Sequence, residues 1–256
     1  MMHRIHLSVA ILLAMIVCTA GAKAQESNVA PDGWTALFNG QDLQGWTGGT
    51  TRNPLEIKAL PEAEAKAWRD KMDRGVAAHW RVEDGQLISD GHEPHLVTLR
   101  DFADFEFSVD WKLSPKGDSG IYLRGCPQVQ IWDPTNEKDH QHGADKGSGG
   151  LWNNEKRGKD PSVLADKPIG QWNQMRIRMV GSYVTVVLNG KTVVKDVPLE
   201  NYYDRSSAVP EAGPIHLQTH GSETRFRNVF IREIGPEESA RLLAEIKGAG
   251  RNDAAE

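Results

Sequence analysis

Cysteine is almost missing from this chain. Only Cys18 and Cys126 occur among 256 residues, and Cys18 lies in an apolar leader. A chain exported past that leader keeps one thiol and has no internal disulfide. Burial and sheet hydrogen bonding must then hold it together. Cys126 reads as a small residue at a strand-end turn, since no nucleophile motif surrounds it. Basic clusters are missing as well. The formal net charge is -5, and no Lys/Arg patch offers the footprint that a nucleic-acid partner needs. No internal repeat is evident. The one long apolar run, Leu7–Val17, is too short to span a bilayer comfortably.

That run has the form of an export signal. His3 and Arg4 give a basic start, Leu7–Val17 an apolar stretch, and Ala22-Lys-Ala24 a small-x-small cleavage pattern. Cleavage before Gln25 is expected, leaving residues 1–24 as signal peptide and a periplasmic or secreted product, with no other membrane attachment. Cys18 raises a lipoprotein alternative, but Val17 is bulky for the position before a lipidated cysteine.

What remains is rich in short strands and Gly turns. Trp80–Leu87 reads as a hairpin around Asp84-Gly85, and Tyr183–Val194 as a hairpin around Asn189-Gly190. Phe105–Trp111 alternates apolar and polar residues, while Trp172–Val180 and Arg225–Glu233 read as further strands. Pro61–Arg74 is rich in helix formers and predicts a surface helix among the strands. Pro236–Lys247 predicts a C-terminal helix that Pro236 opens. The pattern gives one all-β domain over residues 25–235, built as two packed antiparallel sheets, with a helix and polar tail over 236–256. Trp34, Trp46, Trp80 and Trp172 are expected in its core.

Two stretches place unusual polar residues on alternate strand positions. Asp118-Ser-Gly-Ile-Tyr-Leu-Arg-Gly125 puts Tyr122 and Arg124 on one face, against Ile121 and Leu123. After a turn, Gln128, Gln130 and Trp132 oppose Val129 and Ile131. In Ile215-His-Leu-Gln-Thr-His-Gly221, the residues His216, Gln218 and His220 oppose Ile215 and Leu217. A solvated face would favour Lys, Glu, Thr and Ser. A face of Arg, Gln, His, Tyr and Trp suits a hydroxyl-rich ligand. Asp133–Asn154 forms a long polar loop, and loops of that length are usually functional or mobile.

These motifs resemble the 3-keto-disaccharide hydrolase domain family, over about Trp34–Glu233. They run Leu37-Phe-Asn-Gly-x-Asp-Leu-x-Gly-Trp46, Asp118-Ser-Gly-Ile-x-Leu-Arg124, Gln130-Ile-x-Asp133, Gly170-x-Trp-Asn173 and Leu188-Asn-Gly190. Ile215-x-Leu-Gln-x-His-Gly221 and Phe226-Arg-Asn228 complete them. Their order and spacing are specific together. The chain departs from the family in having Asp118 where Asn is frequent, and no acidic residue near Gln128. The resemblance implies a concanavalin A-like lectin/glucanase jelly-roll sandwich and a carbohydrate substrate oxidised at C3. A ketone at C3 acidifies the C2 proton, so a base can drive elimination at C1, and water then adds back.

On that reading His220 is the expected base, Arg124 the stabiliser of the enolate oxygen, and Asp133 a partner to a histidine or a cation. Gln130 and Gln218 hold hydroxyls, Trp132 stacks on a ring, and Tyr122, Gln128, His216 and Asp118 complete the substrate surface. No cofactor is required by the motifs. A divalent ion could polarise the ketone, held by His216 and His220 with Asp133, or by Asp139, His140 and His142; neither set has diagnostic spacing. Plain structural roles stand beside each assignment. Arg124 could pair with Asp118 or Asp133, His220 could bond backbone at a strand end, and the glutamines could cross-link strands. A non-catalytic, lectin-like module would use the same face. The oligomeric state is not legible.

Overall fold

The computed structural model describes residues 27–252; the expected signal segment lies outside them. Among the described residues no helix is long and apolar enough to cross a membrane. The strands in chain order are β1 (Thr35–Ala36), β2 (Trp46–Gly49), β3 (Trp80–Glu83), β4 (Gln86–Ser89), β5 (His95–Thr98) and β6 (Phe105–Leu113). They continue as β7 (Asp118–Leu123), β8 (Cys126–Trp132), β9 (Asn173–Val180), β10 (Tyr183–Leu188), β11 (Lys191–Pro198), β12 (His216–Leu217) and β13 (Thr224–Glu233).

They form two antiparallel sheets, a jelly-roll sandwich as expected. The larger runs β11-β10-β9-β6-β13-β4-β3, with β1 on β13, and the smaller runs β2-β5-β12-β7-β8. The core lies between them. Phe105, Phe107, Val109 and Trp111 point inward from β6, where they meet Ile121, Leu123, Val129, Ile131 and Leu217 from the smaller sheet. The period-2 apolar positions seen in the sequence are the buried ones. The hairpin turns also follow the sequence: Asp84 and Gly85 take φ of 50° and 69°, and Asn189 and Gly190 take 50° and 81°. Both residues in the left-handed region is the signature of the turn that matches strand twist.

Two tryptophans depart from expectation. Trp46 and Trp80 are buried. Trp34 and Trp172 are only half-buried. Arg176 lies 4.8 Å from the Trp34 ring centre, and Arg227 lies 4.1 Å from that of Trp172. On the outer face of the larger sheet they act as platforms for guanidinium groups.

The inserted helices shape the smaller sheet. Helix α1 (Pro54–Lys58) and helix α2 (Glu62–His79) follow β2. A Cβ on Gly48 would sit 2.6 Å from the Met72 carbonyl oxygen, so only glycine lets α2 lie this close to the sheet. Helix α3 (Pro236–Asn252) packs Leu242 and Leu243 against Val180 and Ile234. Facing away from the core, the smaller sheet is covered at one end by α1 and α2. The long loop Asp133–Asn154 borders the other end. Between the two lies an open hollow.

Candidate active site

Backbone pairing orders the outer face of the smaller sheet into rows. Asp118 stands between His220 on one side and Trp132 on the other. Gly120 pairs with Gln130, and its carbonyl accepts the Gln218 N–H at 2.9 Å. Tyr122 pairs with His216. Residues directly opposite on antiparallel strands share a face. Strand alternation therefore converges Asp118, Gln130, Trp132, Gln218 and His220 on a single hollow of about 340 Å³, as the sequence led us to expect. Tyr122 and Gln128 line it too. Its size falls within the usual range for small-molecule sites.

The polar groups form one connected chain. Gln128 Nε2 donates to Gln130 Oε1. Gln130 Nε2 donates to Asp118 Oδ1 at 2.6 Å. His220 Nδ1 lies 2.9 Å from Asp118 Oδ2. An ionised carboxylate only accepts, so this contact sets the proton on Nδ1 and leaves Nε2 as a free lone pair. The Asp118 hydrogen bond raises the imidazole above its ordinary pKa, against the opposing effect of desolvation. Tyr122 Oη shares a hydrogen with Thr51 Oγ1 at 2.7 Å and accepts from Gln218 Nε2 at 3.2 Å. Gln218 Oε1 is buried and has no partner among the described residues, an acceptor open to a hydroxyl.

Several lining residues were not expected at the substrate surface, although the sequence offered Asp139 and His142 as candidate cation ligands. Loop 133–154 contributes Asp139, His142, Trp152 and Asn153. Trp152 meets Trp132 edge to face at 6.4 Å between ring centres and donates its Nε1–H to the His142 carbonyl at 3.2 Å. The loop's length and its Asp139, His140 and His142 were the sequence signals for it; nothing pointed to Trp152 or Asn153. Gly120 was missed as well. A Cβ there would lie 2.9 Å from Gln128 Cδ and 3.0 Å from Gln218 Oε1. The bare glycine lets the two amides converge.

Three assignments are corrected. Arg124 does not reach the hollow. Strand β7 ends at Leu123, and Arg124-Gly125 form a two-residue turn with φ of 53° and 73°. That turn breaks the alternation on which the expectation rested. The guanidinium is buried, donating to the Ala103 and Pro210 carbonyls at 2.8 and 3.1 Å and to Asp104 Oδ1 at 2.6 Å. Its ion-pair partner is therefore neither Asp118 nor Asp133.

Asp133 does not line the hollow either. Its carboxylate accepts from Lys116 N, Thr135 N and Thr135 Oγ1 at 2.7 to 2.8 Å, locking the start of the loop. Burial pushes this carboxyl up, but those bonds outweigh it and hold the group below its ordinary pKa.

His216 lies behind Tyr122, stacked at 5.1 Å, and borders a second cleft lined by Ile57, Trp68 and Val97. Burial, reinforced by neighbouring His95, lowers its pKa to about 3. Neither expected metal set assembles. Among the described residues only His79, Asp90 and His92 bring three donor atoms within 4.8 Å. Cys126 is buried, and burial pushes its thiol up to about 11, in keeping with the structural reading.

The profile of the 3-keto-alpha-glucoside-1,2-lyase-like domain matches residues 33–232. The chain belongs to this family. A 3-keto-disaccharide hydrolase of Bacteroides thetaiotaomicron is 22% identical over 80% of this chain and 80% of its own. A solved Parabacteroides distasonis structure described as a candidate glycosyl hydrolase superposes with TM-score 0.58. It is 22% identical and covers 82% of this chain and 100% of its own. A second structure of that description and organism gives TM-score 0.50 at 25% identity, over 61% and 91%. These likenesses match the sandwich architecture of the family.

Proposed function

We propose that the protein is an exported enzyme that cleaves 3-keto-glycosides, 3-keto-disaccharides among them, by elimination and hydration. The observation that carries the reading is the His220–Asp118 pair, which presents a free imidazole nitrogen to a hollow rich in amide and aromatic groups. Family membership and the relative's activity supply the substrate class. The leader pattern supports export.

In this mechanism His220 Nε2 takes the C2 proton, and the C–H electrons pass into the C3 carbonyl as an enolate. The enolate collapses to a C1=C2 double bond and expels the C1 oxygen, which takes the proton held by His220 and leaves as the alcohol. Water then adds to C1 of the conjugated ketone, and a proton returns to C2. The net reaction is 3-keto-glycoside plus water to 3-keto-sugar plus alcohol. A positioned base of this kind contributes about 10²- to 10⁴-fold. The role first given to Arg124 passes to neutral donors at the hollow, Gln128, Asn153 and Tyr122, which can hydrogen-bond the C3 oxygen. Trp132 and Trp152 offer ring faces and edges to the sugar.

The test compares a 3-keto-glycoside with the unoxidised glycoside. Alcohol release from the first alone supports the proposal. Tight binding of the second with no release from either would favour a lectin-like module.

A further inference from the structure

His79, Asp90 and His92 lie outside the hollow and take no part in the mechanism above. His79 ends α2, and Asp90 and His92 follow β4. The hairpin of β3 and β4 pairs Trp80 with Ser89 and is extended by one rung, Asp90 N to His79 O at 3.1 Å. That rung fixes His79 and Asp90 opposite each other. His92 is held by its own N–H, which donates to Asp90 Oδ1 at 3.0 Å.

The side chains converge on one point. His79 Nδ1 meets Asp90 Oδ2 at 3.0 Å, and His92 Nδ1 meets Asp90 Oδ1 at 3.2 Å. The two rings are 5.2 Å apart between centres. One donor atom from each residue lies within 4.8 Å of the others. Tetrahedral zinc, with bonds of about 2.0 to 2.2 Å, wants its donors about 3.3 Å apart. Each imidazole is already near that spacing from Asp90, His79 from Oδ2 and His92 from Oδ1, so the carboxylate offers one oxygen to each. His92 is well exposed, so water can complete the coordination.

We infer that His79, Asp90 and His92 form a binding site for one borderline divalent cation of the zinc, nickel or copper class. Two imidazoles and one carboxylate suit that class, whereas calcium and magnesium favour all-oxygen shells. The site has a structural reach. Gly91, between two of the ligands, accepts the Gly221 N–H at 2.8 Å. A Cβ on Gly91 would lie 2.4 Å from Ser222 N, so the two turns touch backbone to backbone. A cation bound at 90–92 therefore braces the segment that follows His220.

Untagged full-length mature protein, stripped with chelator and dialysed, is titrated with zinc chloride by calorimetry. One saturable site is expected, with the thermal midpoint raised by about 5 °C at saturating zinc. His92→Gln should weaken binding about tenfold or more, and the double change His79→Gln, His92→Gln should abolish it. His140→Gln with His142→Gln should leave it unchanged. Circular dichroism checks that each variant is folded. Absence of zinc binding in the folded parent overturns the inference, as does binding that persists undiminished in the double variant. Because the readout is binding, neither result depends on glycoside cleavage.

Discussion

His220 Nδ1 and Asp118 Oδ2 lie 2.9 Å apart, on residues that backbone pairing sets directly opposite each other. The pair is half of a longer relay, since Gln130 binds the other carboxylate oxygen at 2.6 Å. Asp118 cannot turn away from His220 without losing Gln130. The histidine is thus oriented by the sheet itself, although its side chain is 66% exposed.

The first prediction concerns pH. A base acts only when unprotonated, so kcat/KM should rise with pH through the pKa of His220. Asp118 lifts that value above 6.5. Asp118→Asn removes the negative charge, so the acidic limb of the profile should move to lower pH. A profile of kcat/KM from pH 5 to 8.5 in both proteins checks this. An unmoved limb would show that another group titrates.

The second prediction concerns Arg124. Its charge is buried and paired with Asp104, which also accepts from Gly181 N at 2.8 Å. Arg124→Met leaves that carboxylate short of its cation and should cost about 3 to 5 kcal/mol of stability. Denaturant unfolding measures the loss. The folded variant should keep its kcat, because the guanidinium does not line the hollow.

A third prediction follows from the buried histidines. Burial lowers His95 to about 4 and His216 to about 3. In the unfolded chain both titrate near 6.5. Above pH 6.5 neither state binds these protons. Below it the unfolded chain does and the folded protein does not, so stability falls as pH falls toward 4. Each histidine contributes a slope approaching about 1.4 kcal/mol per pH unit. His216→Phe keeps a ring beside Tyr122 and should flatten the fall by one histidine's share. Unfolding free energies from pH 7 to 4.5 test it.

Gly120 gives the fourth. Gly120→Ala pushes against the Gln128 and Gln218 amides, which are side-chain ends and can shift. Folding should be nearly unaffected, while KM for a 3-keto-glycoside should rise. Parallel thermal melts and steady-state kinetics separate the two effects. A large loss of stability with unchanged KM would contradict the role given to this glycine.

The sandwich was legible because strand alternation and Asn-Gly or Asp-Gly turns are local signals. Much of the hollow's lining was legible for the same reason, since Gln128, Gln130 and Trp132 needed only period 2. Arg124 failed where that period ends. The step from strand to left-handed turn at Arg124-Gly125 redirects the side chain, and Arg-Gly is a less familiar turn signal than Asn-Gly. Trp152 and Asn153 were out of reach, and His142 was read only as a cation ligand, because a loop's path depends on distant contacts. The His79–Asp90–His92 cluster flanks the hairpin read around Asp84-Gly85, but without metal-ligand spacing in sequence nothing flagged it.

Solvent isotope incorporation tests the central claim most directly. In deuterium oxide, elimination and hydration must place deuterium at C2 of the released 3-keto-sugar, above an enzyme-free control. We expect full incorporation with the parent enzyme, and loss of both release and incorporation in His220→Gln. Sugar released with its original C2 hydrogen, or incorporation at the parent rate in His220→Gln, would contradict the account.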